Sequence, residues 1–229
     1  MNTENANVPD TRDTGNGTTA GAIIIAASLL SVLMMAHHPS VATHDASKVF
    51  AEIADKAWID RLVHGSLIFL LGAQVFGYIE FCSRLGFFRN LVRAGMIGYV
   101  IGVGALIGAA LIDGFVVSDL GSHYLPARAE DLEAARHLLN LCSISVVALA
   151  SLGVVAMSVG FGLWSLALLR ESRAKNIWLG ALGMLLAAGP ALAVLSGAIE
   201  LHLHGMMLVI LCQTVWNLAV GVQLLRGRI

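Results

Sequence analysis

Six apolar stretches, each long enough to cross a lipid bilayer, constrain this chain more than any other feature of its sequence. A helix needs about 17–25 apolar residues to cross a hydrocarbon core of ~30 Å, and every stretch falls within that range. The sequence therefore predicts six transmembrane helices. They lie at Ala20–Ala36, Leu62–Phe81, Leu91–Phe115, Leu138–Phe161, Ile177–Ile199 and Leu203–Leu225.

The composition of the chain also favours a membrane protein. Hydrophobic residues make up 57% and charged residues 13% of the 229 positions, whereas soluble domains average about 45–50% and 25%. The mean hydropathy is +0.79. A bilayer accepts this much apolar surface provided that backbone groups bond internally, as they do in helices. We therefore predict an all-α, polytopic membrane protein in which residues 20–229 form a single six-helix transmembrane domain.

The first nineteen residues, MNTENANVPDTRDTGNGTT, are polar and carry no apolar periodicity. Such a composition predicts a disordered tail over residues 1–19. The tail also lacks the basic region of a secretory signal. We therefore expect the first apolar helix to be retained in the membrane.

The distribution of charged residues predicts the orientation of the bundle. If the amino terminus is cytoplasmic, nine of the fourteen Lys and Arg residues fall on the cytoplasmic side. Ten of the fifteen Asp and Glu residues then fall on the opposite side. We therefore expect both termini in the cytoplasm and a multi-pass protein of the cell's cytoplasmic (inner) membrane.

Two stretches outside the regular pattern carry structural predictions. Residues 45–58, DASKVFAEIADKAW, place apolar side chains at helical spacing opposite charged ones. This pattern predicts a short amphipathic surface helix in the first outer loop. The fourth apolar run continues to Leu169, which is long for one membrane helix, so we expect a break near Gly160 and Gly162.

Small and polar residues inside the apolar stretches predict how the helices pack. Gly98-x-x-x-Gly102 and Gly104-x-x-x-Gly108 would allow close approach of a neighbouring helix. Amide and hydroxyl side chains can hydrogen-bond across helix interfaces, and we expect that role for Gln74, Gln213, Thr214 and Asn217.

All eight histidines fall at the predicted outer ends of the helices or in the outer loops. Asp113 joins them from inside an apolar helix, where an aspartate costs ~3 kcal/mol on insertion scales and should face a partner or a cavity. Imidazole and carboxylate groups are ligands for zinc, copper or iron. We therefore predict an extracytoplasmic site for zinc or copper, with ligands drawn from His37, His38, His64, Asp113, His137, Glu200, His202 and His204.

The sequence leaves three classes of function open, and it does not decide whether the chain is an enzyme. In the first, the histidine cluster binds a transition metal for metal handling or metal-assisted chemistry. In the second, His64 together with His137 or His204 ligates haem b for electron transfer. In the third, the protein is a transporter or a non-catalytic membrane subunit whose histidines sense pH.

The sequence also bounds the partners of the chain. We expect the lipid bilayer as a partner and no nucleic acid, and we leave open a homo-oligomer or a place in a membrane complex. The cysteines lie near the inner surface or within apolar helices, which argues against an outward-facing disulfide-exchange enzyme. They are Cys82, Cys142 and Cys212.

Overall fold

A computed structural model describes residues 11–40, 46–124, 129–171 and 174–229 as helices and the turns that connect them. Six helices are long and apolar enough to cross a membrane. The prediction of an all-α chain with six such helices is confirmed. The helices are α1 (Thr11–Ala36), α2 (Ala46–Gly86), α3 (Asn90–Leu111), α4 (Ser118–Tyr124), α5 (Ala129–Arg170), α6 (Ala174–Leu195) and α7 (Leu203–Leu225).

A π-helical segment, Ile112–Val117, joins α3 to α4 without a loop. The third apolar stretch was predicted to end at Phe115. The helix instead continues through the π segment and α4 to Tyr124. A π segment widens the helix by one residue per turn and is often found at functional sites. Here it contains Asp113.

The amphipathic segment predicted as a separate surface helix forms the first turns of α2 instead. α2 is one continuous helix of 41 residues. The sequence contains no Gly or Pro between Ala46 and His64 that would interrupt the helix. Asp45, the first residue of the predicted segment, lies outside the described residues.

α1 begins at Thr11, so the described part of the predicted tail is helical. These first turns have tertiary contacts that the composition of the tail did not indicate. The Arg84 side chain packs over Gly17, where an added Cβ would lie 2.6 Å from the guanidinium carbon. Residues 1–10 of the predicted tail lie outside the described residues.

The predicted break in the fourth apolar stretch is wrong, because α5 is continuous over 42 residues. Gly160 serves helix packing instead: an added Cβ there would lie 2.8 Å from the carbonyl oxygen of Gly95 on α3. At Gly102 an added Cβ would lie 2.7 Å from the carbonyl oxygen of Gly153 on α5. The glycines thus let the α3 and α5 backbones approach closely, as predicted for the Gly98–Gly102 pair.

The helices form two groups with a cavity between them. α1 packs along α2 and α7, and α5 packs along α3 and α6. α2 also contacts α3, the π segment and α4, which joins the two groups. A buried aromatic core fills the end of the bundle opposite the histidines. Its largest members are Tyr78, Phe81, Tyr99, Phe161, Trp164 and Trp216.

We predict that Gly102→Ala lowers the midpoint of thermal unfolding in detergent. The new methyl group would lie 2.5 Å from Met157 Cγ and would push α5 away from α3, which costs roughly 1–3 kcal/mol. Gly104→Ala is the matched control on the same helix, because among the described residues no atom outside its own stretch of helix lies within 4 Å of the added Cβ. That variant should unfold at the wild-type temperature or above it, since alanine favours helix over glycine. Equal unfolding temperatures for the two variants would contradict the close α3–α5 packing.

Candidate metal centre

A cavity of about 500 Å³ separates the two groups of helices. Its walls come from α1, α2, α3, the π segment, α5 and α7, and they are mostly apolar. At one end the cavity reaches the side chains of His38, His64 and Asp113. We call this end of the bundle the histidine end.

His38 reaches the cavity because α1 ends just before it. The His38 backbone N–H donates to the Met35 carbonyl at 3.2 Å, which closes the last turn of α1. Lys56 of α2 then donates a 2.6 Å hydrogen bond to the Ser40 carbonyl, so the segment after α1 is tied to α2. The imidazole of His38 is mostly buried as a result, with 16% of its side chain exposed.

His64 lies on α2 one turn after Asp60, and the two side chains share a face of the helix. His64 Nδ1 lies 3.1 Å from Asp60 Oδ1 and 3.0 Å from the Asp60 carbonyl oxygen. Ser118 of α4 donates its hydroxyl to the other carboxylate oxygen of Asp60 at 3.3 Å. The His64 ring is therefore held from its Nδ1 side, and it is buried.

The π segment brings Asp113 to the opposite side of the His64 ring. Gly114 allows this approach, because an added Cβ there would lie 2.5 Å from His64 Cγ. Asp113 Oδ2 is 3.3 Å from His64 Nε2 and 3.6 Å from His38 Nε2. The two Nε2 atoms are themselves 3.3 Å apart. Two imidazole nitrogens and a carboxylate oxygen thus form a triangle with sides of 3.3–3.6 Å.

The hydrogen bonds at the far side of each ring assign its tautomer. His38 Nδ1 lies 2.7 Å from the Pro39 carbonyl, and His64 Nδ1 faces acceptors on Asp60. An acceptor needs a proton, so Nδ1 is the donor in both rings. In the neutral rings both Nε2 atoms then carry lone pairs that point toward Asp113. Three lone-pair atoms this close repel one another unless a cation or a proton lies between them.

The structure places the other predicted ligands away from this triangle. His37 is exposed, and its Nδ1 lies 2.8 Å from the Leu33 carbonyl. His137 is exposed on α5 and lines a separate recess. His202 lines the cavity, and its exposed ring is 3.5 Å from Glu200. His204 is exposed and is not part of the cavity wall.

Sequence reasoning missed Asp60. The signal was its position four residues before His64, which places both on one face of a helix. Because the predicted second helix began at Leu62, Asp60 was assigned to the outer loop. Lys56 and Ser118, which support the site from α2 and α4, were missed because both lie outside the predicted membrane helices.

The other end of the cavity carries the amide side chains that the sequence suggested as packing contacts. Asn217 accepts a 2.5 Å hydrogen bond from the Tyr78 hydroxyl and donates to Ser28 Oγ at 2.9 Å. Gln74 Oε1 lies 3.4 Å from Asn217 Nδ2 and from the Tyr99 hydroxyl. Gln213 differs, because its buried Nε2 has no hydrogen-bond partner among the described residues.

The histidine end therefore contains a cluster that could bind a metal ion. His38, Asp60 and His64 each offer a ligand atom, and these atoms all lie within 4.8 Å of one another. Comparison of the chain with protein-family models, curated proteins and solved structures found no match.

Proposed function

We propose that this chain is an integral membrane protein that holds a divalent transition metal, zinc in the first instance, at His38, His64 and Asp113. The observation that carries the proposal is the convergence of two imidazole lone pairs on one carboxylate oxygen. Tetrahedral zinc has bonds of about 2.0–2.2 Å to nitrogen and oxygen, which places its ligands roughly 3.3–3.6 Å apart. The three distances in the triangle match that spacing.

Asp60 has a different role in this proposal. Its carboxylate lies beside Nδ1 of His64, on the side of the ring away from His38 and Asp113. A carboxylate that accepts the second N–H of a metal-bound imidazole fixes the ring and increases its basicity. Asp60 therefore orients His64 rather than binding the metal, and Ser118 orients Asp60 in turn.

Three protein ligands leave the fourth position of zinc free, which is the arrangement of catalytic rather than structural zinc sites. Asp113 has 38% of its side chain exposed and lines the cavity, so the free position would face that space. Beyond the histidine end, the described cavity wall offers amides, hydroxyls and apolar groups but no further imidazole or carboxylate. A resident metal that acts on a molecule in the cavity fits this wall better than a path for metal transport.

The haem alternative receives less support from the same distances. A haem iron needs two imidazoles on opposite faces of the macrocycle. The Nε2 atoms of His38 and His64 are 3.3 Å apart, with no room for a ring system between them. His137 and His204, the expected partners of His64, lie outside the main cavity wall.

We predict that purified wild-type protein carries stoichiometric zinc after growth with added metal. His64→Ala and Asp113→Asn should each lose this zinc, because each removes a ligand of the triangle. His202→Ala is the matched control: it removes an imidazole from the same cavity but not from the triangle. Elemental analysis after size-exclusion chromatography measures metal content and confirms that the variants fold.

A wild-type protein without bound metal would contradict this proposal. It would favour a cluster in which protons occupy the space between the imidazoles and the carboxylates, as the pH-sensing alternative requires. Zinc loss in His202→Ala equal to that in His64→Ala would place the metal elsewhere.

We predict that Asp60→Asn weakens zinc binding by about 10–100-fold, the usual effect of removing a partner that orients a metal ligand. The amide keeps the shape of the side chain but not its charge. Competition with a chelator of known affinity measures the change. Asp119→Asn is the control, because Asp119 pairs with Arg61 at the surface of the same end. Equal affinities for Asp60→Asn and wild type would show that Asp60 does not orient the site.

The side of the membrane on which this site lies is part of the proposal. The predominance of basic residues near the opposite end supports an extracytoplasmic histidine end in the cytoplasmic (inner) membrane. We predict that an impermeant maleimide labels Ser122→Cys in intact cells and labels Arg228→Cys only after lysis. Labelling with the reverse preference would place the metal site in the cytoplasm.

A further inference from the structure

A recess adjoins the cavity at the histidine end. It is lined by the first turns of α2 and α5, and Val49, Leu139 and Ser143 belong to the walls of both spaces. Three of its charged or polar side chains precede Leu138, where the fourth apolar stretch begins. The recess is therefore polar and lies beyond the apolar part of α5. Besides Ser143, the polar side chains that line it in the described part of the chain are Glu133, Arg136, His137 and Asn140.

The recess presents two opposite charges. Glu133 and Arg136 are exposed, and neither forms a hydrogen bond or an ion pair with another described residue. They are three residues apart on α5, so they lie on the same side of the helix. A guanidinium binds phosphate through paired N–H donors, and a carboxylate accepts hydrogen bonds from an ammonium group. The recess is thus complementary to a head group that carries both charges.

The register between α3 and α5 places the proposed metal centre where the recess meets the cavity. The contacts of the α3 glycines show that the two helices are antiparallel. An added Cβ at Gly108 would lie 3.3 Å from the Leu149 side chain. Asp113 is five residues after Gly108, and Ser143 is six residues before Leu149, so these two residues lie at nearly the same level. The π segment that carries Asp113 also contacts α5.

Three layers follow one another along α5. Arg136 of the recess precedes Ser143 by seven residues, which corresponds to about 10 Å along the helix axis. Beyond Ser143 the α5 wall of the cavity is apolar for a further ~16 Å. The order is therefore a polar recess, the level of the metal and an apolar wall. The side chains of that wall are Val146, Val147, Ala150 and Val154.

We propose that the molecule on which the metal acts is a single-chain amphiphile with a zwitterionic phosphate head group, and that the recess binds this head group. The proposal rests on the metal centre proposed above and names its substrate class. The phosphate pairs with Arg136, the ammonium group pairs with Glu133, and the hydrocarbon chain lies in the cavity. The bonds that join head group and chain then lie at the level of the metal.

The size of the cavity favours one hydrocarbon chain over two. Its volume of about 500 Å³ lies within the range of roughly 300–1,000 Å³ that is usual for sites of one small ligand. Burial of a chain against this wall supplies affinity, because each CH₂ group removed from water contributes to binding. The charged head group supplies specificity.

The experiment compares two ether-linked ligands with the same chain, dodecylglycerophosphoethanolamine and dodecylglycerol. Ether bonds prevent cleavage by a metal-activated water during the measurement. Equilibrium dialysis against zinc-loaded protein in maltoside detergent measures binding, and detergent alone corrects for partition. The zwitterionic ligand should bind roughly tenfold more tightly, the lower end of the effect of hydrogen bonds to charged groups. Equal binding of the two ligands would overturn the head-group site and leave the metal centre intact.

Two variants test the contacts with the head group. Arg136→Gln should abolish the preference for the zwitterionic ligand without weakening dodecylglycerol, and Glu133→Gln should reduce that preference. Arg170→Gln is the matched control, because it makes the same change at the opposite end of α5, outside both walls. A full preference in Arg136→Gln would overturn the assignment of the phosphate to the recess.

A further pair of variants tests the position of the chain. Ala110→Phe fills the cavity from α3 and should weaken both ligands by the same factor, roughly tenfold for about two CH₂ groups displaced. Ala148→Phe makes the same change at an exposed position outside the cavity wall and should leave both affinities unchanged. Unchanged affinities in Ala110→Phe would overturn the placement of the chain. Absence of zinc from the wild type would overturn the metal centre, and a head-group preference in that same protein would still support the recess as a binding site.

Discussion

The histidine end of the bundle depends on the hydrogen bonds that the imidazoles of His38 and His64 make. Each ring uses its Nδ1 proton to satisfy a nearby acceptor, the Pro39 carbonyl for His38 and Asp60 for His64. In the neutral rings the remaining nitrogens then face Asp113 as acceptors. Such groups are stable together only if positive charge lies between them. That charge can come from a proton or from the metal ion proposed above.

Four features of the fold hold this arrangement. α1 stops at Ala36, so that His38 can turn inward, and Lys56 ties the following segment to α2. The π segment advances Asp113 toward His64, and Gly114 removes the side chain that would block it. These features come from the end of α1, from α2 and from the π segment, so the site depends on the packing of the whole histidine end. The glycine contacts between α3 and α5 contribute by fixing the helix that carries Asp113.

The sequence predicted the helices well because their apolar stretches are local and periodic. It also predicted that imidazoles and Asp113 share one end of the bundle, since that follows from the alternation of spanning helices. It could not choose His38, His64 and Asp113 from the larger set, because that choice depends on helix rotation and on contacts between distant residues. Asp60 was missed when the start of α2 was placed too late. The unpaired Gln213 amide could only be found once its neighbours in space were known.

The length of α2 bears on how a metal ion would reach the cavity. At 41 residues it is about 60 Å long, twice the thickness of a hydrocarbon core of about 30 Å. Much of the excess precedes Leu62, so the first turns of α2, together with α4, lie beyond the apolar stretches predicted from the sequence. The triangle of His38, His64 and Asp113 lies beside these turns, and the cavity extends from it toward the aromatic core. Under the proposed function, the metal ion would therefore reach the cavity from the aqueous side of the histidine end.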